Sequence, residues 1–200
     1  FPISFAFGPA QRDQMRVTGT ADSMRLGFVP SKESALGRDM PRVSGLAHLL
    51  LRRNVVLDAD FIQGEKRKQV HLTSAGSFLY DVTKREVTFD DQVHVTQLTL
   101  AEPAPEKETI ACEWLQVQFD QAEQPTSPEA QPPQGTRSPF DGLVFRAMRA
   151  QGSKAGHGSR LTVISSSQQL TAVMQDLAYD AVKRQALMVD DQQVIIDRGP

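Results

Sequence analysis

Tyr80-Asp81-Val82-Thr83-Lys84-Arg85-Glu86-Val87-Thr88-Phe89-Asp90-Asp91-Gln92-Val93-His94-Val95 returns late in the chain. The second copy is Tyr179-Asp180-Ala181-Val182-Lys183-Arg184-Gln185-Ala186-Leu187-Met188-Val189-Asp190-Asp191-Gln192-Gln193-Val194-Ile195-Ile196. Each runs from a Tyr-Asp-x-x-Lys-Arg element through a strand-like stretch to an acidic step, and one inserted residue near Met188 keeps them aligned. Such a recurrence marks a repeated supersecondary unit, in which each unit buries its apolar face against its neighbour.

Around the first copy the signals are those of short antiparallel strands. Val87, Phe89, Val93 and Val95 share one parity, and Thr88, Gln92 and His94 take the other, as in a half-buried strand. Asp81 to Lys84 is a polar turn, so residues 78–95 read as a hairpin. Val70-His71-Leu72-Thr73 and Phe78-Leu79-Tyr80 are strand-like, with Ala75-Gly76 between them inviting a bend or bulge. Residues 110–119 alternate, but the parity slips between Trp114 and Leu115, and a bulge there reconciles the halves. Residues 160–164 form another strand, and Leu49 to Leu57 reads as one more.

Residues 170–188 pose a conflict. Leu170, Val173, Met174, Leu177, Ala178, Ala181 and Val182 fall at helical spacing among good helix formers. The equivalent first copy has a clear period of two, and equivalent units share a backbone, so the expectation is strand, turn, strand. The fold class is therefore all-β, with repeated antiparallel strands. Residues 1–120 read as a first unit, of which 1–45 give little signal beyond one strand at residues 21–29. Residues 121–140 are rich in Pro and Gln and read as a solvated loop or linker. Residues 141–200 read as a second unit continuing the same sheet. The chain opens on Phe1 and stops directly behind a strand, which suggests a piece of a longer protein.

Composition narrows the functional classes. A formal charge of -2 and a pI near 6.1 give no electrostatic reason to expect nucleic acid. The longest apolar cluster, Leu46 to Leu57, is broken by His48, Arg52, Arg53 and Asn54, far short of the roughly 20 residues a membrane helix needs. His48, His71, His94 and His157 show no metal-ligand spacing, alone or with Cys112, which reads as a small buried side chain. Residues 152–159 lack the Gly-Lys-Ser/Thr ending of a phosphate loop, and Ser165-Ser166-Ser167 lacks a nucleophile elbow. Asp90-Asp91 and Asp190-Asp191 fit a turn or bulge at the repeated step better than a calcium site. No nucleophile, base and oxyanion donor assemble, so the expectation is a non-catalytic protein without cofactor or metal.

Phe78-Leu79-Tyr80-Asp81, the Lys/Arg turn, Val87-Thr88-Phe89, Val93-His94-Val95 and Ile110 to Phe119 resemble the OstA-like family. These are the periplasmic lipopolysaccharide-transport proteins, among them LptA, LptC and the N-terminal domain of LptD. Residues 145–152, 161–164, 177–180 and 194–196 look like the following round, so the resemblance covers residues 46–200. Two departures stand out: Asp91-Gln92 and Asp191-Gln192 replace the usual glycine before the Val-x-Val step, and the proline-rich insertion is long. The resemblance implies an open β-jelly roll, a twisted β-stack whose inner apolar face is a groove for acyl chains. It further implies lipopolysaccharide-like lipid as ligand, stacking on other β-jelly-roll proteins by strand addition, and the periplasm of a Gram-negative-type envelope. Membrane association would then come only through regions outside residues 1–200.

Groove candidates are Val70, Leu72, Phe78, Tyr80, Val87, Phe89, Val93, Val95, Leu115, Val117, Phe119, Leu161, Val163, Leu177, Val194 and Ile196. Closed core and open groove share one sequence signature, so these residues serve either. Two other readings stand beside lipid transport: a structural or adhesive β-repeat module that binds no lipid, and a polysaccharide-acting β-helix enzyme. The enzyme needs clustered acids on one face, and the sequence offers only separated Asp pairs.

Overall fold

The computed structural model describes residues 2–7, 16–30, 43–63, 66–101, 104–121, 142–153 and 160–199. They form fifteen strands and, among the described residues, no helix. In chain order these are β1 (Ile3–Phe7), β2 (Arg16–Ala21), β3 (Ser23–Pro30), β4 (Val43–Arg52) and β5 (Val55–Gln63). There follow β6 (Lys66–Ser74), β7 (Ser77–Asp81), β8 (Glu86–Leu100), β9 (Glu106–Gln121) and β10 (Leu143–Gln151). The last are β11 (Leu161–Ser165), β12 (Leu170–Met174), β13 (Asp176–Asp180), β14 (Gln185–Val189) and β15 (Ile195–Arg198). The all-β reading holds: every pairing is antiparallel, and the sheet is open rather than closed into a barrel.

The pairings resolve into two half-sheets that share the long strands β8 and β9. Residues 94–100 of β8 pair with β6, whereas residues 86–89 pair with β7. Likewise residues 108–111 of β9 pair with β11, and residues 114–121 pair with β10. The first half-sheet thus runs β1-β2-β5-β6-β8-β9-β11-β12-β15, and the second β3-β4-β7-β8-β9-β10-β13-β14.

Between the half-sheets the chain turns a corner each time it crosses, and the corners stack into a seam. Backbone hydrogen bonds tie neighbouring corners: Asp22 N to Arg53 O (3.1 Å), Arg53 N to Gly76 O (2.6 Å), Ala75 N to Asp91 O (2.9 Å) and Gly152 N to Gln175 O (2.7 Å). These bonds satisfy main-chain groups that the sheet ladders leave free at a bend. Arg53 and Asn54 cross with φ of 60° and 51°, and Asp91 and Gln92 with 63° and 51°. Asn and Asp tolerate this left-handed region better than most residues. Gly76 is required by close approach, because a Cβ there would lie 2.6 Å from the Asp90 carbonyl oxygen.

Several expectations are sharpened by this architecture. Leu49 to Leu57 is not one strand, because the corner at Arg53-Asn54 divides it into β4 and β5. Residues 1–45 hold β1, β2 and β3 rather than a single strand. Residues 170–188 are strands, as the repeat requires, with an additional corner at Gln175. The parity slip near Trp114 is the point where β9 crosses the seam: Cys112 and Leu115 are both buried, three positions apart. Apart from Gln121, the Pro/Gln-rich segment 121–140 lies outside the described residues.

The two copies of Tyr-Asp-x-x-Lys-Arg fold alike. Lys84 N donates to Asp81 Oδ1 at 3.0 Å and Lys183 N donates to Asp180 Oδ1 at 2.9 Å. Arg85 and Arg184 close the turns at φ of 52° and 53°. The first turn amide docks on the preceding strand in both, Val82 N on Ala47 O and Ala181 N on Arg146 O. The motif recurs because an aspartate at this position pins the turn from its own side chain.

Candidate apolar trough

Residues directly opposite in an antiparallel pair share a face, so the registers trace the inner surface. Nearest the seam, the second half-sheet contributes Leu51, Phe78, Phe89, Leu115, Ala150 and Leu177 in one continuous row. The first contributes Ala21, Val55, Val93, Cys112, Leu161 and Met174. All are buried and belong to a single apolar cluster spanning both half-sheets.

Away from the seam the inner face opens. Along β9, Leu115 is 2% exposed, whereas Val117 and Phe119 are half-buried. Beside Phe119, Phe145 reaches 36% exposure and stacks on Tyr179 with ring centroids 6.0 Å apart. The first half-sheet changes character instead. Beyond Val95 and Ile110, β8 and β9 carry Gln97 and Glu108, joined by a 3.2 Å hydrogen bond, then Thr99, which is buried, and Glu106, while Val70 and Ala59 keep the neighbouring strands apolar at the same level. The inner face thus has a buried apolar floor, an aromatic margin at Phe119, Phe145 and Tyr179, and polar groups on β8 and β9.

The candidate residues divide along this gradient. Leu72, Phe78, Tyr80, Val87, Phe89, Val93, Leu115, Leu161 and Leu177 are buried in the floor. Val70, Val95, Val117, Phe119, Val163 and Val194 are half-buried toward the mouth, and Ile196 is exposed at 54%. Four wall residues were missed: Phe28, Phe145, Met148 and Tyr179. A signal was present for Tyr179, since the repeat equates it with Tyr80, and for Phe28, which alternates with Met24 and Leu26.

Burial governs the ionisable groups of the floor. It pushes the Tyr80 phenol up to about 12, with the Arg85 charge opposing and Asp81 adding. It likewise pushes the free Cys112 thiol up to about 12, helped by Glu113, which leaves a proton-bearing, unreactive sulfur.

The polar residues weighed for chemistry are placed in turns, corners and outer faces. Asp90 accepts hydrogen bonds from the Ser77 amide and hydroxyl, and its carbonyl accepts one from Ser74 Oγ at 2.5 Å. His71 is exposed on the outer face with Nδ1 2.7 Å from Asp58 Oδ1, and His94 is exposed too. Ser166 and Ser167 belong to the β11–β12 turn. Among the described residues no three His, Cys, Asp or Glu side chains are placed to hold a metal ion. His157 and residues 154–159 lie outside the described residues. Comparison with family models, curated proteins and solved structures returned no match.

Proposed function

We propose that this chain is a lipid-binding module that shelters acyl chains in its apolar trough, in the manner of lipopolysaccharide-transport bridge components. The observation that carries the reading is the course of the inner face: it stays apolar from Leu115 through Val117 and Phe119 to Phe145 while exposure rises to 36%. Such a strip lets acyl chains leave water along it, and the Gln97–Glu108 pair on β8 and β9 gives a headgroup its place. Each sheltered methylene contributes about 0.8 kcal/mol, so a lipid of several chains needs few specific contacts. Among the described residues, strands β1, β3, β14 and β15 each pair on one side only, which supports stacking with other β-jelly-roll proteins by strand addition. The periplasm of a Gram-negative-type bacterium is the compartment this reading implies.

Displacement of a fluorescent fatty-acid probe from the folded chain tests it. Saturable displacement by lipid supports the trough, and a folded chain that takes up no probe overturns it. A structural β-repeat module without lipid is the second reading, favoured by one observation: the floor residues Tyr80, Val93 and Leu161 are each 0% exposed and leave no room at the seam.

A further inference from the structure

The outer face of the second half-sheet carries a groove that the trough does not use. It crosses β9, β10, β13 and β14 and has a volume of about 670 Å³. The strand registers lay out its surface in two rows. One runs Gln116, Arg149, Ala178 and Leu187, and the next runs Gln118, Ala147, Asp180 and Gln185. Residues opposite one another share a face, and this one is the reverse of the face that carries Leu115, Ala150 and Leu177. Ala147 and Ala178, the smallest side chains in the rows, make the depression between longer neighbours.

The charges lining the groove are Arg146, Arg149 and Lys183 against Asp180. Arg146 Nη1 lies 3.2 Å from Asp120 Oδ1, and Lys183 Nζ lies 3.5 Å from Asp180 Oδ2, so these charges are matched locally. Arg149 is exposed and, among the described residues, makes no ion pair or side-chain hydrogen bond. Gln116, directly across from it on β9, makes no side-chain hydrogen bond either. One unmatched cation therefore stands in the middle of the groove, on a chain whose formal charge is -2. A guanidinium holds a carboxylate or a phosphate through two parallel N–H bonds. Around it the side-chain amides offer both donors and acceptors, the complement of hydroxyl groups. Leu187, 64% exposed, is the one large apolar side chain in the two rows.

We propose that this groove binds an anionic oligosaccharide, its acidic group on Arg149 and the hydroxyls of the flanking sugars on Gln116 and Gln185. An acyl chain would find only Leu187 to cover it. A nucleic-acid strand needs several free cations for successive phosphates, and the groove leaves one. An extended peptide takes its main-chain bonds from an open strand edge, whereas β9, β10 and β13 are each paired on both sides. A charged sugar matches the single cation, the amides and the shallow alanine floor together. The inference is independent of lipid binding in the trough.

The probes are tetragalacturonate, maltotetraose and singly phosphorylated maltotetraose, each carrying a 2-aminobenzamide label and titrated with the full chain by fluorescence anisotropy. Saturable binding of a charged sugar, at least tenfold tighter than maltotetraose, is expected, and the tighter of the two names the acidic group. Arg149→Gln should weaken that binding at least tenfold and Gln116→Ala at least threefold, with circular dichroism confirming the fold. Arg25→Gln, on the exposed outer face of β3, removes the same charge away from the groove and should leave the affinity within twofold. The proposal is overturned by equal binding of charged and neutral sugars, by equal losses in Arg149→Gln and Arg25→Gln, or by an oligothymidylate of matching charge binding as tightly as the sugars.

Discussion

Phe78 and Phe89 face each other across β7 and β8 with ring centroids 4.9 Å apart and planes tilted by 45°. They are 2% and 4% exposed and sit in the row that joins both repeat units, from Leu51 to Leu177. Removing the Phe89 ring leaves a cavity beside Phe78 and Leu115 that rigid β ladders fill poorly. Phe89→Ala is expected to destabilise the chain by about 3–5 kcal/mol. At the mouth, where water already reaches the ring, Phe145→Ala should cost about 1 kcal/mol. Urea denaturation distinguishes them, and equal losses at the two positions would show that floor and mouth are one closed core.

The paired turns make a prediction about backbone rather than packing. Arg85 and Arg184 occupy φ of 52° and 53°, where a side-chain-bearing residue costs roughly 1–2 kcal/mol. Glycine removes that cost but adds freedom to the unfolded chain, worth about 0.5–1 kcal/mol the other way. Arg85→Gly and Arg184→Gly should therefore be neutral to slightly stabilising. Valine, β-branched and poorly tolerated at positive φ, should destabilise by more than about 1 kcal/mol at both. Thermal midpoints that fail to rank Gly above Val at position 184 would contradict the equivalence of the turns.

Legibility followed the period of the chain. The hairpin around Asp81 to Lys84 and the strand, turn, strand course of residues 170–188 were readable because alternation or the repeat named them, the latter against helical spacing, whereas the corner at Gln175 that parts β12 from β13 was not. The division into half-sheets was not. β8 keeps its parity from Phe89 to Val93 across the seam, so it looks the same whether it ends there or crosses, and the slip in β9 between Trp114 and Leu115 reads equally as a simple bulge. The corners at Arg53-Asn54 and Asp91-Gln92 carry no Gly or Pro and turn through positive φ instead, which composition does not announce. The wall of the trough was half legible for a related reason. Phe145 and Tyr179 come from strands far apart in sequence, and only the register of β10 with β13 sets them side by side.

Alkaline stability follows from the two buried acids of the floor. The Cys112 thiol moves from 9.0 to about 12, and the Tyr80 phenol from 10.0 to about 12. A group whose pKa is higher in the folded chain binds its proton more tightly there, so stability is lost where the unfolded chain has released it. The contribution is complete below about pH 9, declines first through Cys112 and then, above about pH 10, through both groups, until the folded values near 12 are reached. Each group adds a slope of up to about 1.4 kcal/mol per pH unit in its window. Urea midpoints should hold steady from pH 7 to 8.5 and fall beyond, and Cys112→Ala should delay the onset toward pH 10. A Cys112→Ala profile that overlays the natural one would place the alkaline loss elsewhere.

The mouth of the trough supplies the remaining test. Phe145 is exposed enough, at 36%, to accept a carboxylate without unfolding the sheet, yet it lies on the wall against Tyr179 and beside Phe119. A charge there must be stripped of water whenever an acyl chain lies over it, which costs several kcal/mol for an unpaired ion. Phe145→Glu is therefore expected to weaken binding of a fluorescent fatty-acid probe at least tenfold while leaving the circular dichroism spectrum intact. Thr109→Glu, on the outer face of β9, serves as the control of equal charge. Were the two variants to bind the probe alike, the acyl chains would have to lie somewhere other than along the aromatic margin.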